Sequence, residues 1–306
     1  MKIGFQMDYI SDLNFKTDST LPIIFESQKR NNINYIYHPN EIIHKKNSTY
    51  AIGYPIKFLS SDFKKYNLGL KKTLLLNSLD YIFIRKDPPY DTTYISSMHM
   101  LEQLHSKTKI INNPRGIRNS PEKLLMLNFP RLIPPTIITR SVDEVKKFSK
   151  NHKKCVIKPL YGNGGDSVFL FDIKDFNYNQ ILENFLSRSN EPFIIQKYLP
   201  QIIKGDKRII LINGDPVAAI RRVPAKNEIR SNIHVGGVVK KTTLTKRDIF
   251  ICKSIKNTLV SNGLIFVGID VIGDFLTEIN VTSPTCIQEI KALYKTDLAK
   301  IIWDNI

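Results

Sequence analysis

Three cysteines, one tryptophan and 14 glycines in 306 residues leave several architectures without material. Cys155, Cys252 and Cys286 are odd in number and far apart, which argues against a disulfide framework or a CxxC metal site and for reduced thiols. No uncharged apolar run approaches the roughly 18 residues that span a bilayer, and Asp8 interrupts the opening stretch where a signal peptide needs its apolar segment. The expectation is a cytoplasmic protein, in which the sequons at Asn47 and Asn280 carry no sugar. Acid is scarce: 28 Asp and Glu face 45 Lys and Arg, a net charge of +17 that attracts polyanions. The basic residues come in scattered pairs such as Lys45–Lys46, Lys71–Lys72 and Lys240–Lys241, with no run of three and no aromatic-interleaved stripe. That pattern is a solvated surface, and it makes a nucleic-acid-binding protein the remote alternative.

With 42% hydrophobic residues the chain can bury a core and divide into two or three domains. Periodicity reads strand, helix, strand over Met1–Met7, Leu21–Lys29 and Ile33–Tyr37. A further strand over Leu79–Arg85 is closed by Asp87-Pro88-Pro89-Tyr90-Asp91, polar groups at a strand's carboxyl end, where open α/β sheets bind ligands. Pro121-Glu122-Lys123 reads as a helix start leading into Leu124–Leu127. Helices follow at Val142–Ser149, Gln180–Leu186 and Arg247–Asn262. Strands are expected at Cys155–Lys158, Val168–Phe171, Phe193–Gln196, Arg208–Ile212, Pro216–Arg221, Phe266–Ile272 and Phe275–Asn280. The fold class is α/β, in part α+β.

Three clusters could carry chemistry. Val156-Ile157-Lys158-Pro159 precedes Gly162-Asn163-Gly164-Gly165: proline keeps Lys158 extended at a strand end, and the glycines let a hairpin backbone approach a phosphate. No Gly-Lys pair occurs anywhere, so there is no P-loop, and Ser167 stands where a dinucleotide fingerprint needs its third glycine. In Thr277-Glu278-Ile279-Asn280, Glu278 and Asn280 share a strand face; with Asp270 on a neighbouring strand they offer oxygen ligands to a hard cation such as magnesium. Lys207-Arg208, Arg221-Arg222 and Arg230 supply cations able to clamp phosphate or carboxylate. Each cluster alone has a plain reading as well: a glycine-rich turn, a polar strand edge, a soluble surface.

Together and in this order they resemble the ATP-grasp superfamily. The strings RKDPPYDT (85–92), KYLPQIIKGDKR (197–208), GLIFVGIDVIG (263–273) and LTEINVTSPTCIQEI (276–290) are similar to prokaryotic glutathione synthetases across nearly the whole chain. The resemblance implies an ATP-grasp fold with an N-terminal open α/β substrate domain over 1–122, a central subdomain over 123–204 and a C-terminal subdomain over 205–306. It implies ATP-dependent joining of γ-glutamylcysteine and glycine through an acyl phosphate, with a related carboxylate–amine ligase as the alternative. Lys123 and Lys158 would hold ATP phosphates under a hairpin of Gly162, Gly164 and Gly165. Gln196, Lys197, Tyr198 and Leu199 would line the adenine pocket, and Asp206 would meet the ribose. Asp270, Glu278 and Asn280 would hold two magnesium or manganese ions. Arg208 and Arg222, with Lys158, would serve the transferring phosphate. Arg85, Ser283, Pro284 and Thr285 would position the peptide, and Arg230 and Asn232, in a lid over 223–239, would reach the ligands on closure. The family also implies a homotetramer.

The chain departs from that pattern at Tyr161, Asp166, Lys197 and His234-Val235, which touches lid and nucleotide affinity more than reaction type. Cys286 reads as a small buried side chain, because the ligase route needs no enzyme thiol.

Overall fold

The computed structural model describes residues 1–104, 107–162, 167–226, 228, 230–231 and 236–306. Three sheets organise them. The first holds β1 (Lys2–Gln6), β2 (Ile33–Tyr37), β3 (Ile42–Lys45), β4 (Ser48–Phe58), β5 (Tyr66–Leu68), β6 (Lys72–Leu75), β7 (Tyr81–Ile84) and β8 (Lys109–Ile111). Its parallel core runs β2-β1-β7-β8, and the buried Ile3, Phe5, Ile82, Phe83 and Ile84 explain why these short runs are central. Strands β3 to β6 join antiparallel and went unread in the sequence, because Gly53 and Pro55 interrupt the alternation of β4.

Helices α1 (Thr20–Lys29), α2 (Thr92–Leu101) and α3 (Pro114–Arg118) accompany this sheet. Asp18 starts α1 by accepting the amides of Thr20 and Leu21, and Asp91 starts α2 by accepting that of Tyr94 at 2.8 Å, just after the Pro88-Pro89 break. The expected helix after Pro121 is instead a short 3-10 turn over Leu125–Asn128. Glu122 is diverted: its carboxylate accepts the amides of Val281 and Thr282 and its carbonyl accepts that of Ile279, so the chain is pinned to another element before a helix can propagate.

The second sheet, in order β11-β10-β12-β9, contains β9 (Thr136–Thr139), β10 (Lys154–Pro159), β11 (Phe169–Asp172) and β12 (Phe193–Lys197). One face packs Cys155, Ile157, Phe193 and Ile195 beneath α4 (Val142–His152) and α5 (Tyr178–Arg188). The third, in order β15-β14-β13-β16-β17, contains β13 (Asp206–Ile212), β14 (Asp215–Val223), β15 (Val238–Lys241), β16 (Phe266–Ile272) and β17 (Phe275–Asn280). Helix α6 (Lys246–Ser261), opened by a Thr245/Asp248 capping box, covers one face through Ile251, Cys252 and Ile255. Helices α7 (Ile287–Tyr294) and α8 (Leu298–Asp304) return the chain to the first sheet, where the Trp303 indole donates to the Ile23 carbonyl at 3.0 Å.

Asn112 ties the first sheet to the third: its amide donates to the carbonyls of Phe266 and Val281 at 2.7 and 2.8 Å and accepts the Phe266 amide at 2.8 Å. The span expected as a lid is tighter than read, because the β-branched Val223 ends β14 and pairs with Val238, which opens β15.

Candidate active site between two sheets

Register decides which side chains meet. Asp206 pairs with Arg222, Arg208 with Asp270, Asp270 with Glu278 and Gly268 with Asn280. Partners in adjacent strands project to the same side, and residues two apart on a strand do as well. Asp206, Arg208, Arg222, Asp270, Glu278 and Asn280 therefore stand on one face of the third sheet. Gly268 leaves room there: a Cβ would lie 3.2 Å from Arg208 Cδ.

These charges are buried and paired. Arg208 grips Asp270 with Nε at 2.5 Å and Nη2 at 2.9 Å, and Arg222 reaches the same carboxylate at 3.0 Å while gripping Asp206 with Nε at 2.9 Å and with Nη2. Burial alone would raise the Asp270 carboxyl, but Arg208 and Arg222 hold it well below the ordinary carboxylate range. The Asn280 amide nitrogen donates to the Gly268 carbonyl at 3.2 Å and lies 3.5 Å from Asp270 Oδ2.

The opposing wall comes from the second sheet. Val156 pairs with Gln196, and Lys158 lies two residues beyond Val156, so all three face the third sheet. Burial pushes the Lys158 ammonium down to about 8 against the pull of the Glu278 carboxylate. Lys123, from the connector, donates to the Gly162 carbonyl and lies 3.4 Å from Glu278. Gly162 is glycine of necessity, since a Cβ would collide with the Pro159 ring. Between the walls is a cleft of about 1450 Å³, counting the space open to solvent.

Of the residues expected to form the site, Lys123, Lys158, Gly162, Gln196, Lys197, Tyr198, Leu199, Asp206, Arg208, Arg222, Arg230, Asp270, Glu278, Asn280, Ser283 and Thr285 line that cleft. Lys197 is exposed at its edge, and the amides of Lys197 and Tyr198 are spent on the carbonyls of Pro135 and Lys154, so a base beside this strand meets its other backbone groups. Arg230 pairs with Glu228 at 2.7 Å. Arg85 and Pro284 stand behind the lining: Arg85 Nη2 donates to the Pro284 carbonyl at 2.9 Å and supports the 283–285 loop from beneath. Gly164, Gly165 and Asn232 lie outside the described residues.

Sequence reasoning missed Glu122, whose Oε1 accepts two backbone amides and the Thr282 hydroxyl at 2.8 Å, fastening the connector to the end of β17. Burial, and then the neighbouring Glu278 charge, raise its carboxyl. Its position between a proline and a lysine carried a helix-start signal and nothing more.

The donors fit magnesium in kind. Asp270, Glu278 and Asn280 offer hard oxygens on two adjacent strands, and a cation that also takes phosphate oxygens needs few of them. Among the described residues no point gathers three His, Cys, Asp or Glu side chains.

A cationic cleft between two sheets, with carboxylates facing a lysine-bearing hairpin, is the arrangement of an ATP-grasp ligase. Solved structures share the fold: ATP-grasp ligase PsnB, complexed with minimal precursor, Mg and ADP, aligns with a TM-score of 0.62 at 13% identity, over 99% of this chain and 97% of that one. D-cycloserine synthetase DcsG aligns with a TM-score of 0.64 at 10% identity, over 99% of this chain and 100% of that one. Two families match the sequence: prokaryotic glutathione synthetase, N-terminal domain, over residues 1–118, and prokaryotic glutathione synthetase, ATP-grasp domain, over 122–295. The glutathione synthetase of Agrobacterium fabrum is 43% identical over 99% of this chain and 95% of its own length, and that of Buchnera aphidicola 38% over 100% and 96%. The chain belongs to the prokaryotic glutathione synthetase family and is an ATP-dependent ligase. Among the described residues no helix is long and apolar enough to cross a membrane.

Proposed function

We propose that the cleft joins γ-glutamylcysteine to glycine, releasing glutathione, ADP and phosphate. The observation that carries this reading is the single-faced charge network of Arg208, Arg222, Asp270, Glu278 and Asn280 opposite Lys158, within a chain matched along its length to glutathione synthetases. The cysteinyl carboxylate attacks the γ-phosphorus of ATP; ADP leaves and an acyl phosphate forms. The glycine amine then attacks the acyl carbon, phosphate departs and the amine loses its proton.

Lys158 and Lys123 hold the phosphates from the hairpin side, and Arg208 and Arg222 stabilise the negative charge on the phosphoryl group as it passes from ADP to the carboxylate oxygen. Because Asp270 and Asp206 fix both guanidiniums before substrate arrives, little reorganisation remains for the reaction itself. Asp206 also supplies carboxylate oxygen at the ribose side, and Gln196 to Leu199 flank the base. Magnesium, held by Asp270, Glu278 and Asn280, would neutralise phosphate charge. Arg85 and the 283–285 loop seat the peptide. Arg230 and Asn232, on the β14–β15 connection, close over the ligands to keep water from the acyl phosphate. The domain division is 1–122, 123–204 and 205–306, and the enzyme works as a cytoplasmic homotetramer.

The test is product analysis with ATP, Mg²⁺ and γ-glutamylcysteine, with and without glycine. Glycine-dependent release of one phosphate per glutathione formed is expected. Turnover with a different amine and none with glycine would turn the reading toward a related carboxylate–amine ligase.

A further inference from the structure

Two stretches of chain reach the lysine side of the cleft, and both run past one aromatic ring. Lys158 lies in β10, and Gly162 follows three residues after the end of that strand. Lys123 comes from the connector beyond α3 and donates to the Gly162 carbonyl. Past Pro159 the chain leaves the core of Cys155, Ile157 and Phe171, and Leu160 and Tyr161 pack instead in the cluster that holds Tyr90, Tyr94 and Ile117.

Tyr90, only 7% exposed, is where the two stretches meet. Its ring stacks on that of Tyr161, with centroids 6.0 Å apart and planes inclined by 18°, and lies 5.5 Å from the ring of Tyr94. Its hydroxyl donates to the carbonyls of Ile117, at 3.4 Å, and of Arg118, the last two residues of α3. Glu102 holds Arg118 in turn, with Nε at 2.7 Å and Nη2 at 3.2 Å. One side chain therefore fixes both the helix end from which the Lys123 connector departs and the bend that presents Gly162. Pro159 stiffens the strand side of this bend, so beyond it the place of Gly162 follows from where the Tyr161 ring lies. Gly162 and Lys123 line the cleft, whereas Tyr90 and Tyr161 stand behind it. Tyr161 is also one of the positions at which the chain departs from the family pattern.

We propose that Tyr161, stacked on Tyr90, is a positioning residue for nucleotide phosphates: it sets Gly162 and, through the Gly162 carbonyl, the Lys123 ammonium. The proposal rests on the phosphate placement in the proposed function and adds to it a determinant behind the cleft wall. Because the stack acts on the phosphate side and not on the base, its loss is felt by a nucleotide in proportion to the phosphates it carries.

Calorimetry on the full-length protein with ATP and with AMP, both in Mg²⁺, tests this, AMP being measured by its displacement of ATP. Tyr161→Leu should weaken ATP binding about tenfold and AMP binding by no more than about twofold, the upper scale of a stacked aromatic pair being spent on the phosphates AMP lacks. Tyr161→Phe keeps the ring and should bind ATP as the wild type does. In a Tyr90→Leu background, where the stack is already gone, adding Tyr161→Leu should cost less than about a further twofold. Tyr161 is only partly buried, so its variants decide the matter alone if Tyr90→Leu fails to fold. Unchanged ATP affinity in Tyr161→Leu overturns the proposal. So does loss of ATP and AMP by the same factor, a Tyr161→Phe protein as weak as Tyr161→Leu, or a full additional tenfold in the Tyr90→Leu background. A wild type that binds AMP as tightly as ATP fails the phosphate placement itself, and with it the parent reading.

Discussion

On the face of the third sheet turned to the cleft, Asp206, Arg222, Asp270 and Arg208 form a continuous chain of ion pairs beside Glu278 and Asn280. On the face turned to α6, Lys207 meets Asp248 amid Ile209, Leu211, Ile251 and Ile269. Both faces bury charge, and both draw it from the same strand, residues 206 to 208. The back pair has two members, no open side and one carboxylate oxygen, Asp248 Oδ1, without a partner among the described residues. The front chain shares Asp270 between Arg208 and Arg222 and Arg222 between Asp270 and Asp206, and it opens onto the cleft. A closed pair fixes α6 against the sheet; a shared, open chain holds arginines ready for a ligand.

The widest separation of the two faces comes from breaking one member of each. Asp270→Asn should lower kcat/KM by about 10³-fold, because the variant loses a metal oxygen and the anchor of Arg208 together. Lys207→Met should leave activity per folded molecule within a factor of about 3 while lowering unfolding free energy by about 3–5 kcal/mol, since it strands the Asp248 carboxylate in an apolar layer. Steady-state kinetics and urea melts on both proteins check this. Replacing both partners sharpens the contrast: Lys207→Met with Asp248→Leu should regain most of the lost stability, whereas Arg208→Met with Asp270→Leu should fold and stay inactive.

The back face was not legible in the sequence. Lys207 beside Arg208 read as a cationic pair, and nothing in Asp248 betrayed that it would be both capping residue and ion-pair partner, because the contact spans 41 residues. The front face was legible because strand alternation put Glu278 and Asn280 together with Asp270 on a neighbouring strand, and because Lys207-Arg208 and Arg221-Arg222 stood out as cationic pairs, to which the resemblance added roles. Neither could show that Asp206 would be gripped by Arg222, a matter of register across β13 and β14. Strands β16 and β17 were read to the residue from their apolar runs, while β3 to β6 and α8 escaped for want of periodicity. Glu122 was hidden in what looked like a helix start; its role exists only once β17 lies against it.

A smaller effect belongs to Lys158, which faces the front chain from across the cleft. With its ammonium lowered to about 8 by burial, the free enzyme loses this cation as pH rises through that value, whereas bound phosphate favours the protonated form. The dissociation constant for ATP, measured by calorimetry, should therefore be flat below pH 7 and climb about tenfold per pH unit above 8, and Lys158→Ala should remove the climb. The smallest effect is expected far from both faces. Lys256 and Asp215 pair at 2.7 Å but stay partly exposed, so Lys256→Ala should change stability by no more than about 0.5 kcal/mol.

On the proposed reading, the front face carries a phosphoryl group from ATP to the peptide carboxylate. γ-Glutamylcysteine labelled with ¹⁸O in its cysteinyl carboxylate tests that step directly, with the released phosphate analysed by mass spectrometry after a reaction with ATP, Mg²⁺ and glycine. An acyl phosphate predicts one ¹⁸O in each phosphate released and one retained in the glutathione carbonyl. Phosphate free of label, with glutathione still formed, would contradict it.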